Sequence, residues 1–352
     1  MSVISPILRI VLLLALAAGT FWHASNRVAL REARQAEGRG NDVEAVRRAW
    51  DHLEEIPWSQ EASLIAARGL SRLDFAALAE PYYQRASQLD LDDLHVRAFG
   101  LTRANQREQA IEAYLDILNR RPDDVLALRR LGGIYISQIR YQDALEVARR
   151  LEQIPEGTVI GLSLAGTCLH LMPDPDYEQA VDAFDRAFAE DPGLEQVPLP
   201  AKLYWSYLSA ALLKLGRAER AVETIGRALA DGEDADLLTM LGDAYHQQGL
   251  LDAARDAWTR AARVDPRASI AWLKLGQLAL EQGDPSGAIP PLERAAELIP
   301  SSYEPFYNLA LASRRLGLDT EADRYQEQAD RLRNDAPPKT TMGMMPDRDH
   351  EQ

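Results

Sequence analysis

Between Ala235 and Arg333 the chain repeats itself at a fixed interval, and few folds accommodate that. Leu241-Gly242, Leu275-Gly276 and Leu309-Ala310 recur every 34 residues. Gly249, Gly283 and Gly317 keep the same interval, as do Ala254, Ala288 and Ala322. Trp258 matches Leu292, Ala261 matches Ala295 and Ala329, and Pro266 matches Pro300. Self-similarity at about 20 to 50 residues indicates a stacked array, and about 34 is the period of a two-helix unit.

One unit shows why. Leu238, Leu241, Gly242 and Tyr245 are spaced three and four apart, which puts them on one face of a first helix. Gly249 follows its last turn, where a residue able to adopt positive φ ends a helix at little cost. Leu251, Ala254, Trp258 and Ala261 form the apolar face of a second helix, and Pro266 stops it. The small residues Gly242, Ala254 and Ala261 let two helices approach, while Tyr245 and Trp258 fill the space between layers. One pair of helices cannot bury both of its apolar faces, so neighbours must stack on each side.

These residues resemble the tetratricopeptide repeat. The unit from Ser269 repeats the pattern with Trp272, Leu275-Gly276, Gly283, Ala288, Leu292, Ala295 and Pro300. The resemblance implies an all-α, right-handed α-solenoid whose concave groove, lined by first helices, binds peptides or protein segments. It also implies which side chains face that groove. In the last three units these are Asp236, Thr239, Asp243, His246 and Gln247; Ile270, Leu273, Gln277 and Leu280; and Glu304, Tyr307, Leu311 and Arg314. The family's Lys-and-Asn clamp for a C-terminal carboxylate is absent, so a chaperone-tail-binding role does not carry over.

Weaker copies of the pattern extend the array to about nine units, starting near residues 26, 60, 91, 125, 161, 202, 235, 269 and 303. Residues 26–333 are thus read as the solenoid, with a Pro-containing spacer near 193–201. Asp319 to Arg333 has a polar outer face, as a terminal capping helix requires. Residues 334–352 lack periodicity and are expected to form a disordered tail.

The N-terminal residues 1–25 contain an apolar run of 13, Ile10 to Trp22, or 19 if counted from Ile4 across Arg9. The longer count predicts a hydrophobic anchor helix, and the shorter, with Ala15-Leu16-Ala17, a cleaved signal peptide. We favour the anchor. Arg27, Arg31, Arg34 and Arg39 follow it, which on charge alone favours a cytoplasm-facing array. The short leader favours the periplasmic side, and we expect the repeats there, as a membrane protein with a single-pass anchor. A periplasmic or secreted chain after cleavage is the alternative.

A formal net charge of −15 argues against nucleic acid as a partner. Cys168 is the only cysteine, which excludes an internal disulfide and a cysteine-based metal cluster. No phosphate loop, dinucleotide fingerprint or zinc-protease motif occurs. Gly161-Leu162-Ser163-Leu164-Ala165 resembles a nucleophile elbow but ends in Ala and follows no strand, so it reads as the start of a helix. Asp174, Asp176 and Glu178 alternate like a calcium loop without its glycine and read as a solvated turn. Met342, Met344 and Met345 are weak grounds for copper(I) binding. Arg129 and Arg130, near Arg120 and Arg121, form a basic spot able to pair with an acidic segment.

The expectation is therefore a non-catalytic protein-interaction scaffold, with no cofactor, no metal and no small-molecule substrate. Its partner is a protein or peptide segment, held during assembly of a complex, and the N-terminal helix is its link to the membrane. A soluble adaptor, or an accessory subunit of an enzyme complex, are the alternatives.

Overall fold

The computed structural model describes residues 28–230 and 232–335. Among the described residues all regular structure is helical. Eighteen helices pair into nine hairpins. Residues 28–38 form α1, paired with α2 (Asp42–Glu55). Then come α3 (Gln60–Arg72) with α4 (Ala76–Arg85), α5 (Leu91–Arg103) with α6 (Arg107–Arg120), and α7 (Val125–Ser137) with α8 (Tyr141–Glu152). A 3-10 turn, Pro155–Gly157, follows. The later hairpins are α9 (Thr158–Leu171) with α10 (Tyr177–Glu190), α11 (Ala201–Lys214) with α12 (Ala218–Ala228), and α13 (Ala235–Gln247) with α14 (Leu251–Val264). The array ends with α15 (Ser269–Glu281) and α16 (Pro285–Leu298), then α17 (Tyr303–Arg315) and α18 (Asp319–Asp335). The chain is an all-α array of helix-turn-helix repeats.

The turn inside a hairpin is nearly constant, and it explains how weak copies of the repeat still fold. Gly40, Gly216, Gly249, Gly283 and Gly317 have φ near +70 to +78°. Asp74, Asn105 and Ile139 stand at the same place with φ of 68, 57 and 62°. In each of these eight turns the next residue donates its N–H five residues back, as Leu250 does to the Tyr245 carbonyl at 2.9 Å and Arg140 to that of Tyr135 at 2.9 Å. This is the bond that ends a helix on a left-handed residue. Asp and Asn tolerate that region, whereas a β-branched side chain pays about 1 to 2 kcal/mol. Ile139 is 71% exposed, so no burial offsets its strain. Ile139→Gly is expected to raise stability by about 1 kcal/mol in urea unfolding followed by circular dichroism. An unchanged or lower midpoint would contradict the strain.

The described chain divides into two compact units between Gly157 and Thr158. In the first, Ala33, Ala45, Ala49, Ala62 and Ala66 are fully buried and allow α1, α2 and α3 to pack closely. Tyr83 is buried beside them, its hydroxyl 3.2 Å from Ser71 Oγ, and burial pushes its phenol up to about 12. A charged ladder crosses the first helices. Arg68 on α3 donates from Nε to Asp93 on α5 at 2.5 Å, and from Nη1 to Glu37 on α1 at 3.5 Å.

In the second unit the core follows the large residues of the second helices. Phe184, Trp258 and Leu292 are each no more than 2% exposed. Each faces a glycine of the preceding helix: a Cβ on Gly242 would overlap the Trp258 indole, and one on Gly276 would overlap Leu292. Gly166 has the Phe184 ring 3.0 Å from where its Cβ would stand. That contact places the fifth hairpin in register, and its first helix starts at Thr158, earlier than the expected start near Gly161. Residues 191–200 join α10 to α11 without helix, with Asp191 accepting from the Gln196 N–H at 2.7 Å.

The described helices run from 10 to 17 residues, well short of the roughly 20 needed to cross a bilayer. Among the described residues no helix is long and apolar enough to cross a membrane. That overturns the expected localisation, a single-pass anchor with the repeats on the periplasmic side. Residues 1–25, which carried the anchor and signal readings, lie outside the described residues, as do the methionines at 342, 344 and 345. The tail expected from 334 lies outside from 336 on, and α18 extends to Asp335.

Candidate functional site

The first helices of the last three hairpins, α13, α15 and α17, present a strip of polar and aromatic side chains. Asp234 and Ser302 cap α13 and α17, accepting from backbone N–H groups of the first turn. The glycine turns end the same helices. Their faces are therefore set by local sequence at both ends.

At the α13–α15 step His246 Nε2 lies 2.8 Å from Glu281 Oε2. Lys274 Nζ stands 3.6 Å from Asp243 Oδ1, too far for a hydrogen bond, and that oxygen is buried without a hydrogen-bond partner. Beside them is a cavity of about 150 Å³ lined by His246, Trp258, Lys274, Gln277, Leu278 and Glu281. At the α15–α17 step lies a more open cavity of about 550 Å³, lined by Gln277, Tyr303, Glu304, Tyr307, Asn308 and Arg333. Gln277 lines both cavities, so the strip is continuous.

Burial raises the Asp243 carboxyl above the usual aspartate value of 3.8, against the opposing pull of Lys274 and His246. The folded chain therefore holds this proton more tightly than the unfolded chain does. The stability that the protonated form contributes is complete below the ordinary aspartate range and is lost as pH rises through the raised folded value. Asp243→Asn, which does not titrate, is expected to gain on the wild type between about pH 4 and pH 7 in thermal unfolding. A difference that stays constant over that range would contradict the burial argument.

The structure sorts the residues expected from sequence. Asp236, Gln247, Tyr307 and Arg314 are exposed, and Asp243, His246 and Gln277 are partly buried. Gln247 Nε2 donates to the Leu213 carbonyl at 3.3 Å, and Arg314 lies 3.6 Å from Asp323. His246, Gln277 and Tyr307 line the two cavities.

Thr239 and Leu273 do not reach the surface, which corrects their expected place in the groove. Thr239 is 9% exposed, its hydroxyl donates to the Ala235 carbonyl, and its own carbonyl accepts from Trp258 Nε1 at 3.1 Å. Leu273 is 3% exposed in the core between α15 and α17. Leu280 is likewise buried, and Ile270 is exposed.

Arg129 and Arg130 belong to the first unit and are not part of this strip. Both are exposed, and the Arg130 guanidinium lies 5.0 Å from the centre of the Phe99 ring. Ser163 is buried in α9, donating to the Val159 carbonyl at 2.8 Å. Asp176 caps α10 through the Gln179 N–H, and Glu178 pairs with Arg217 at 2.7 Å.

Lys274, Glu281, Tyr303, Asn308 and Arg333 line the cavities without having been expected. Lys274 and Glu281 are near neighbours of named positions on α15, so the 34-residue register contained a signal for them. Arg333 comes from the second helix of its hairpin, and nothing in the repeat pattern points to it.

The family model described as Tetratricopeptide repeat matches residues 100–157, 210–262 and 239–305. Among curated proteins, the chain is 22% identical over 297 residues to the Protein CTR9 homolog of Arabidopsis thaliana, covering 72% of this chain and 27% of that protein. It is 25% identical over 193 residues to Protein O-mannosyl-transferase TMTC1 of Homo sapiens, covering 53% and 21%. The chain thus spans about a quarter of the length of the curated relatives it matches. Among solved structures, YrrB, described as a TPR protein with an unusual peptide-binding site, is 18% identical with a TM-score of 0.47, covering 55% of this chain and 96% of that one. The C-terminal part of a TPR repeat-containing protein from Cytophaga hutchinsonii is 16% identical with a TM-score of 0.49, covering 67% and 91%. MamA is 22% identical with a TM-score of 0.40, covering 45% and 90%.

Proposed function

We propose, from the premise that the chain is a tetratricopeptide repeat protein, that it works by binding alone and holds a segment of a partner protein on the strip made by α13, α15 and α17. The observation that supports this is the place of Gln277 on two successive cavities, which joins three first helices into one surface. The two cavities offer both donors and acceptors, from Lys274 and Gln277 to Glu281, Glu304 and Asn308, beside apolar surface from Leu278 and the tyrosines. A segment with alternating polar and apolar side chains meets a partner for each. Because α13 and α17 are capped and all three helices carry buried core residues, little ordering cost falls on the scaffold when it binds. The net charge of −15 favours a partner with basic character and disfavours nucleic acid.

Retention of partners from the native source tests the reading. Gln277→Arg, which projects a long charged side chain between the two cavities, is expected to abolish it. Asp256→Arg on α14, at a position 70% exposed, is expected to leave it unchanged. Equal retention by both variants would remove the strip from the account.

A further inference from the structure

The open cavity at the end of the strip already holds a ligand of a kind, and it comes from the chain itself. Tyr303 and Tyr307 are four residues apart on α17, so their rings share one face of the helix. They are 38% and 44% exposed, unlike the aromatic residues of the core. The Arg333 guanidinium, from the last turn of α18, lies 5.0 Å from the centre of the Tyr303 ring and 5.9 Å from that of Tyr307. Both distances fall within the roughly 6 Å over which a cation is drawn to an aromatic face. Among the described residues Arg333 has one ion pair, with Asp330 at 3.9 Å, and its side chain is half exposed. The Glu304 carboxylate lines the same cavity, and Asn308, held by its bond to the Glu304 carbonyl at 2.8 Å, sits beside it.

Arg227 offers a contrast within the same unit. It lies over Phe188 and Trp205 at 5.0 and 5.3 Å, but Trp205 is 8% exposed and belongs to the core. That stack covers a core. The tyrosine pair borders about 550 Å³ of open space instead.

We propose that Tyr303 and Tyr307, with Glu304 at their edge, form a recognition platform for a guanidinium group, and that Arg333 occupies it in cis until an arginine of the partner segment displaces it. The inference rests on the proposed groove for its biological partner, but the chemistry can be tested without one. Planar guanidinium stacks on an aromatic face while donating hydrogen bonds at its rim, and the Glu304 carboxylate lines the same cavity. Arg333 lowers the apparent affinity for an outside arginine by the fraction of time it holds the platform. It thereby raises the concentration of an arginine-bearing segment needed to fill the platform.

The probe is N-acetyl-arginine methylamide, compared with its neutral citrulline counterpart. Tyrosine ring resonances of the full chain are followed during titration and assigned through Tyr303→Phe and Tyr307→Phe. In Arg333→Ala, the Tyr303 and Tyr307 signals are expected to shift saturably with the arginine derivative and not with citrulline. The wild type is expected to need about two to five times more, the worth of an exposed cation–π contact. Arg333→Gln, which keeps a polar side chain without the charge, is expected to behave like Arg333→Ala. No saturable shift in either variant, or an equal response to citrulline, overturns the platform. Equal affinities for wild type and variants overturn the competition by Arg333. If either negative result appears while Gln277→Arg still abolishes partner retention, the groove stands and this inference alone falls.

Discussion

Trp258→Ala is expected to lower the folding stability of the second unit by about 4 kcal/mol, within the range for deleting a fully buried aromatic side chain. Trp258 is 2% exposed and fills the space opposite Gly242. Its loss leaves a cavity that the α13 and α14 backbones, held by the Gly249 turn, can close only in part. It also removes the Trp258 Nε1 hydrogen bond to the Thr239 carbonyl at 3.1 Å, which supplements that carbonyl's place in the α13 ladder. In an array stabilised by neighbours the damage spreads to adjacent hairpins and weakens with distance. Hydrogen exchange should therefore show lost protection in α13, α14 and α15 first. A loss below about 1 kcal/mol, or one confined to the termini, would mean that the indole is not what holds this hairpin together.

The second large effect is expected at a charge. Asp93 is 1% exposed and accepts from Arg68 Nε at 2.5 Å and from the backbone N–H of Asp90 at 3.2 Å. Its own N–H donates to Asp90 Oδ1, completing a reciprocal cap on α5. Asp93→Ala removes both functions and leaves Arg68, 24% exposed, with only the 3.5 Å contact to Glu37. Breaking a buried pair from one side costs about 3 kcal/mol or more, because the surviving charge stays desolvated. Urea unfolding of the first unit should show that loss. Adding Arg68→Ala should recover part of it, since the orphaned charge goes too. If the double substitution is as costly as the sum of the singles, the pair is not coupled and the argument fails.

Much of the architecture could be read from spacing alone, because each hairpin carries its own instructions. In the last three units glycine ends the first helix and the repeated alanines of the second helix are fully buried, so the period and the fold coincide. Gly242 pairs with Trp258 and Gly276 with Leu292, and the 34-residue register places Ala310 and Gln326 at the corresponding positions of the last unit. The earlier hairpins were harder to see. Asp74, Asn105 and Ile139 adopt the turn conformation that elsewhere is left to glycine, so the turn survives where its sequence signal does not.

The site was legible only in part, and for a physical reason. Periodicity tells which residues share a helix face, but the neighbouring helix decides which of them are covered. Thr239 and Leu273 lie on the expected face and are buried at its edge, whereas His246, Gln277 and Tyr307 remain accessible. The Arg68–Asp93 pair and the reach of Arg333 to Tyr303 join residues 25 and 30 positions apart on different helices. No pattern along the chain encodes such pairs. The anchor reading rested on hydropathy in residues outside the described region. Within that region no helix is long and apolar enough to cross a membrane.

The most direct test of the groove is site-specific photo-crosslinking of the full chain with its co-purified partner. A photoreactive residue is placed at Gln277, at Glu304 or, as a control, at Asp256 on α14. One partner segment is expected to be captured from Gln277 and Glu304, with both links mapped by mass spectrometry to neighbouring residues of that segment, and nothing from Asp256. Capture from Asp256 with none from Gln277 or Glu304 would place the binding surface on the second helices and contradict the account.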